Sequence, residues 1–525
     1  MPDNPTLAAT FKFYLIPLIL FAAVATGMYH FYQYRIISDD FSYLAIAQRY
    51  INGDYKTAVN GYWSPLNIWI LALWVKCTGM SLLPASYLIN CCSFAAFTAI
   101  AIHLSKSFIT GTFGRLGFGI CMALFCAFNI PVTHFADAMN CVLLFICFGI
   151  LLKENFTQKP LLWILWGFVA AIAYFSKAYS FYILPLTLAV ALYILLKKEG
   201  HFSLKKWIQI LAVSVACMIL FSFPWLYLLH QKYGIWTAST AGGINTNWAI
   251  QSTIYFSDQY KVLVPPSHPN SLSCWEDPWI NHGKMLSAFG SASLFIKQVF
   301  RMCMNAINWF TVTATFSPFY FPIWIAGLIL LFKTKIKDAD NKWSLLMMSF
   351  LIFPAGYLML SFGTRYLWFT VPLVMLLGLY LLKEYLSPKL KPIYYKVLLL
   401  AYFGSWLPGA AEELKTMFNE GKSEFEMAQQ INKLPMHGSF LTNIYDNYQT
   451  SFRLSYFTGN QFYMHFGDNW STQELIHEAE KQNVQYYYYF YQGTNDDYKL
   501  KDATGRPFPE VSDGKLEGLK VFKLF

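Results

Sequence analysis

The stretch "SDDFSY", Ser38 to Tyr43, places two carboxylates, Asp39 and Asp40, directly after an apolar run. Acidic residues in the first turn of a helix oppose the positive end of its dipole, and a serine ahead of them is a favoured cap. That reading accounts for the pair with Ser38 as the cap and no chemistry at all. Successive helical residues point about 100° apart, however, so the two carboxylates do not serve the same purpose. One can face a cavity while the other holds the loop. A carboxylate at a membrane edge is costly to desolvate, which suits it to accept a proton once a substrate closes over it.

Further ionisable groups come from other loops: Asp137 in "THFADAMN", Lys177 in "YFSKAYS", Glu276 and Asp277 in "CWEDPW", and Arg365 in "FGTRYLWF". Taken singly, each reads as a solvated loop charge, and an ion pair between Lys177 and Asp137 would account for both. Ionisable residues at the membrane edge nevertheless lean toward function. Carboxylates and cations together suit transfer of a group from a phosphate, with a base to activate an acceptor hydroxyl and cations to hold the leaving phosphate.

The elements that must position these groups belong to a membrane protein. Of the 525 residues, 56% are hydrophobic and 13% charged, against about 25% charged in soluble domains. Apolar runs at about 11–32, 86–105, 114–134, 138–152, 161–175, 178–196, 207–229, 318–332, 343–362, 366–382 and 393–410 predict eleven spans. The first run lacks a cleavage site and reads as a retained anchor. With the N-terminus inside, the inner loops are 106–115, 153–160, 197–206, 333–342 and 383–392. They carry fifteen Lys and Arg against five acids. That excess equals the formal charge of +10, so the positive-inside rule explains the basicity without a nucleic-acid partner.

Three segments fall outside. In the first loop, 33–85, "DDFSYLAIAQRYI" and "PLNIWILALWVKCTG" read as helices lying in the interface. A long loop, 230–317, contains a helical stretch near 291–312 that dips toward the membrane; the charge bias argues against its spanning fully. From 411 onward the pattern changes to a small external α/β domain, 411–525, beside a membrane domain, 1–410. Its strands are "GSFLTN", "QFYMHF", "QYYYYFY" and "LKVFKLF", with helices near 422–433, 446–456 and 471–483. It shows no glycine fingerprint or nucleophile elbow, which leaves it a structural or substrate-facing role. The ten cysteines form no C-x-x-C and read as small buried hydrophobes.

An Asp pair after the first span, "YLAIAQ" on the next helix and "NGYWSPL" some twenty residues on resemble the GT-C superfamily of polyprenyl-phosphate-sugar-dependent glycosyltransferases. Within it the chain is most similar to the bacterial branch related to protein O-mannosyltransferases and the aminoarabinose transferase. "FADAMNC", "AYFSKAYSF", "YGIWTASTAGGIN", "CWEDPW" and "RYLWF" follow in the family's order, over roughly residues 10–410. The resemblance implies a polytopic helical fold and an inverting transfer at the external face of a bacterial inner membrane. The donor it implies is a sugar on a polyprenyl phosphate; the acceptor is a lipid, glycan or protein hydroxyl. It puts the catalytic aspartate on Asp39, with Asp40 as its acidic neighbour. Arg365 and Lys177 would hold the phosphate, with Asp137, Glu276 and Asp277 among the polar groups of the site, and Tyr62, Trp63 and Ser64 would shape the groove. The sequence departs from the family at Ser38, where many relatives have proline, and at Asn140, where some have glutamate. Some branches bind a divalent ion through such acids and others do not, so a metal stays unassigned.

A transporter or flippase for a lipid-linked sugar would share the lipid-facing groove but should show polar or broken helices near the midplane. A glycan polymerase or ligase would use a similar donor with another acceptor, and a non-catalytic scaffold would not need Asp39 and Arg365.

Overall fold

The computed structural model describes residues 11–525 apart from 110, 134–135, 200–201, 252–260, 334–340, 445–447, 468, 492–497 and 503. Of the charges expected on the inner side, Lys335, Lys337, Asp338 and Asp340 lie outside the described residues, as do His134 and Phe135 of "THFADAMN".

Seven helices among the described residues are long and apolar enough to cross a membrane: 12–32, 82–105, 112–132, 179–198, 204–233, 342–359 and 370–389. Asp137–Leu151 and Pro160–Ser176 are shorter apolar helices packed among them. The chain is a multi-pass membrane protein. Leu204–Tyr233 has 30 residues, about 45 Å of helix; the hydrocarbon core is about 30 Å thick, so one end projects beyond it.

The stretch expected to dip is a 25-residue helix, Ala292–Phe316. It meets Tyr320–Lys333 across a 114° bend. Pro318 lies in that break; a proline cannot continue the hydrogen-bond ladder and disfavours helix in the residue before it. The two form a broken span or a re-entrant pair.

The first loop contains the two helices expected, Ser38–Asn52 and Pro65–Thr78. Gly53 ends the former at φ 82° and Gly79 the latter at φ 70°, a left-handed cap that glycine adopts without a Cβ clash. Pro65 opens the second helix, where its missing N–H has no partner to lose. The first helix starts differently from the sequence reading. Ile37 occupies the cap position and Ser38 is already helical, while the Ile37 amide donates to Asp40 Oδ2 at 3.4 Å.

The C-terminal region builds a four-stranded sheet from β2 (Ser439–Thr442), β3 (Gln461–Phe462), β5 (Tyr486–Phe490) and β6 (Leu519–Lys523), in the order β3-β2-β5-β6. β2 is parallel to both neighbours and β6 antiparallel to β5. The sequence reading missed a strand in the long loop: β1 (Val262–Val264) pairs antiparallel with β4 (Met464–Phe466). One hydrophobic cluster, with Phe41, Leu44, Ile68, Cys274, Phe452 and Phe462 among its members, joins the first loop, the long loop and the C-terminal sheet. The larger cluster fills the helical bundle around Phe94, Trp166, Tyr320, Trp368 and Trp406. All ten cysteines are free thiols, five of them buried.

Candidate active site

Four charged side chains from four distant parts of the sequence meet at one end of the bundle. Asp39 is the second residue of its helix and points to the Arg365 guanidinium, with which it forms an ion pair. Arg365 sits in a short 3-10 turn, Thr364–Leu367, ahead of the helix Thr370–Leu381. Its Nε lies 3.9 Å from Asp137 Oδ2, and Asp137 pairs through its other oxygen with Lys177 Nζ. Asp137 opens its helix after Ala136, whose φ of 45° turns the chain sharply. Lys177 occupies the junction between Pro160–Ser176 and Tyr179–Lys198. The order Asp39, Arg365, Asp137, Lys177 alternates in sign. Lys177 and Arg365 keep about a fifth of their side-chain surface exposed, as does Asp39, so the cluster is accessible from outside the protein.

Aromatic rings flank the cluster. Lys177 Nζ lies 4.3 Å from the centre of the Tyr366 ring and Arg365 Cζ 5.2 Å from it, distances at which cations are attracted to a ring face. Tyr366 stacks on Tyr357, centroids 4.9 Å apart and ring planes nearly parallel. Tyr62 donates to Asn245 Oδ1 at 2.9 Å. Trp63 Nε1 donates to the Trp275 carbonyl at 3.0 Å, and Ser64 Oγ accepts the Ala178 amide at 2.9 Å. That last bond ties the "SPL" turn to the residue after Lys177. Burial pushes the phenols of Tyr43 and Tyr62 above the usual tyrosine range, and the nearby carboxylates push the same way, so both remain neutral. Burial alone would lower Arg365, yet Asp39, Tyr366 and Asp137 raise it well above its ordinary value.

The other expected site residues are placed differently. Asp40 is fully buried, accepts from Thr133 Oγ1 at 3.1 Å and caps its own helix; it serves the structure of the turn. Glu276 and Asp277 are also fully buried and do not join the cluster. Glu276 pairs with Arg49, while Asp277 pairs with Lys232 at 2.6 Å and accepts from Tyr233 at 3.0 Å. Asn140, the other departure noted in the sequence, accepts from Ser180 Oγ at 2.8 Å inside the bundle. Tyr43, Tyr357 and Tyr366 were not singled out in the sequence. Tyr366 was legible only as the neighbour of Arg365, since an aromatic-rich membrane chain offers many equivalent tyrosines.

Asp39 and Asp137 already have cationic partners, and among the described residues no three His, Cys, Asp or Glu side chains cluster.

No protein-family model matches the chain, and no curated protein does so by sequence. Solved structures do match. The ArnT of Cupriavidus metallidurans bound to undecaprenyl phosphate superposes with a TM-score of 0.54 at 13% identity, over 99% of this chain and 98% of that one. The same protein in the apo state gives 0.53 at 13% identity over 97% and 98%. An oligosaccharyltransferase of Archaeoglobus fulgidus in complex with Zn and sulfate gives 0.56 at 9% identity, over 91% of this chain and 68% of that one. Both proteins are GT-C superfamily members. The chain has a GT-C fold. With ArnT the likeness runs through the helical bundle and the C-terminal α/β region alike, so the GT-C fold accounts for residues beyond 410 that the motifs did not reach.

Proposed function

We propose that the chain is a membrane glycosyltransferase that moves a sugar from a polyprenyl-phosphate donor, of the undecaprenyl class, to an acceptor hydroxyl. The observation that carries this reading is the Asp39–Arg365–Asp137–Lys177 cluster. Before the donor binds, both cations are occupied by carboxylates. A donor phosphate reaching the cluster competes for Arg365 and Lys177 and leaves Asp39 free to act as base. Asp39 then takes the proton of the acceptor hydroxyl, whose oxygen attacks the anomeric carbon from the face opposite the phosphate. The bond from that carbon to the phosphate oxygen breaks, its electron pair leaves with the phosphate, and Arg365 and Lys177 stabilise the charge that develops. The configuration at the anomeric carbon inverts.

The wall of Tyr62, Trp63 and Tyr366 suits the sugar, whose apolar ring faces rest on aromatic surfaces. Presentation of the donor in the bilayer is supported by the likeness to a structure holding undecaprenyl phosphate. The external, periplasmic face of a bacterial inner membrane is supported by charge. From Lys177, the 20-residue helix Tyr179–Lys198 leads to Lys197 and Lys198 at its far end, about 30 Å away. Lysine-rich loops favour the cytoplasm, which supports an external position for the cluster.

Membranes carrying the chain, given labelled undecaprenyl-phosphate monosaccharides, test the reading. Consumption of donor with release of undecaprenyl phosphate is expected. Exchange of donor between leaflets without consumption would make the protein a flippase and overturn the proposal.

A further inference from the structure

The segment between the first span and Asp39 is held from the C-terminal side. Arg453, on the helix Tyr448–Thr458, is buried and divides its guanidinium among three partners. Nε donates to the Ile36 carbonyl at 2.9 Å, Nη1 pairs with Glu424 at 2.7 Å, and Nη2 pairs with Glu420. Glu420 pairs through its other oxygen with Arg35 at 2.9 Å, and Arg35 donates to the Val132 carbonyl at 3.0 Å. Two cations and two anions thus alternate around residues 35–36, three or four positions ahead of Asp39. The next residue after Val132 is Thr133, whose hydroxyl donates to Asp40.

Packing reinforces the clamp. Tyr34 stacks on Phe425 with centroids 4.3 Å apart, Phe41 packs on Phe452 at 4.9 Å, and Gln449 Nε2 donates to Ser38 Oγ at 3.4 Å. Gly421, at φ 86°, passes so close to the Tyr34 carbonyl that a Cβ there would lie 2.2 Å from its oxygen. Only glycine combines that conformation with that approach.

From this geometry we infer that Arg453 is a positioning residue for Asp39, and that the C-terminal region serves to fix the start of the helix that presents the base. The inference deepens the proposed transfer reaction and rests on it for Asp39's role. A planar, three-pronged guanidinium fixes direction in a way a lysine ammonium does not. Arg453→Lys therefore keeps the charge balance with Glu420 and Glu424 while releasing the Ile36 carbonyl.

The test uses the full-length protein in lipid nanodiscs. Hydrogen exchange is followed at amides 38–42 and, as reference, in the span 82–105, for wild type, Arg453→Lys and Glu424→Gln. At least tenfold faster exchange confined to 38–42 is expected in Arg453→Lys, with a smaller effect of the same pattern in Glu424→Gln. Unchanged exchange at 38–42, or acceleration spread evenly over both regions in both variants, would overturn the inference. This readout needs no substrate, so its failure is separate from a failure of the transfer reading. Where a labelled undecaprenyl-phosphate sugar is turned over, kcat of Arg453→Lys should fall at least tenfold with donor KM within twofold of wild type. Equal kcat would also overturn the inference.

Discussion

Lys177 and Tyr366 share one contact that orders the candidate site: the ammonium lies 4.3 Å from the centre of the ring while it pairs with Asp137. The cation proposed to hold the donor phosphate and the ring proposed to flank the sugar are therefore one assembly. A ligand that draws Lys177 away from Asp137 also uncovers the face of Tyr366.

Arg365 bridges the two carboxylates, so in the proposed transfer its loss has two consequences: the donor phosphate loses a partner and Asp39 loses its neutralising neighbour. Arg365→Gln should lower kcat/KM for the donor by about 10²–10³, the scale for removing a donor aimed at developing charge. Arg365→Lys should fall between wild type and Arg365→Gln, because an ammonium cannot reproduce the fork. Steady-state kinetics with a labelled donor checks both.

Lys177→Gln leaves Asp137 facing Arg365 alone. The affinity for undecaprenyl phosphate should drop about tenfold, or about 1.4 kcal/mol. Titration of nanodisc-embedded protein with undecaprenyl phosphate reads the change, and its slope against salt should be shallower than that of wild type.

The buried pair Asp277–Lys232 makes a stability prediction independent of catalysis. Burial would raise the Asp277 carboxyl, but hydrogen bonds and charge from His268, Lys232 and Tyr233 hold it below its ordinary value. An unfolded aspartate titrates near 3.9. The stabilisation is thus complete above about pH 4 and is lost as pH falls through the lower folded value. Melting temperature should hold steady from pH 7 to about pH 5 and decline below about pH 4. Asp277→Asn leaves the Lys232 ammonium buried with one partner fewer; it should lower stability at pH 7 by about 3–5 kcal/mol and flatten the acid decline. Thermal melts across pH check both.

Much of this was readable before the fold was known, and the limits have physical causes. The spans follow from apolar length, and the charge-bearing loops announced the four residues that meet, because an ionisable group at a membrane edge is rarely idle. Glu276 and Asp277 looked equally promising for the same reason. Their partners, Arg49 and Lys232, lie far away in sequence, and only the fold shows that those charges are satisfied internally. The bend after Phe316 escaped because an apolar run does not disclose direction. Strand β1 escaped because three residues carry too little alternation to be seen.

Asp39 and Asp40 separate the account from its plainest rival, an acidic pair that only caps a helix. Asp40→Asn should lower the melting temperature, through the weakened cap and the Thr133 bond, yet retain transfer. Asp39→Asn should insert and fold normally, because its side chain is partly exposed and caps nothing. The deciding measurement is single-turnover release of undecaprenyl phosphate from a labelled donor by these two variants, beside wild type. A loss of about 10²–10⁴ in Asp39→Asn with Asp40→Asn within tenfold of wild type is expected. Undiminished release by Asp39→Asn would contradict the account.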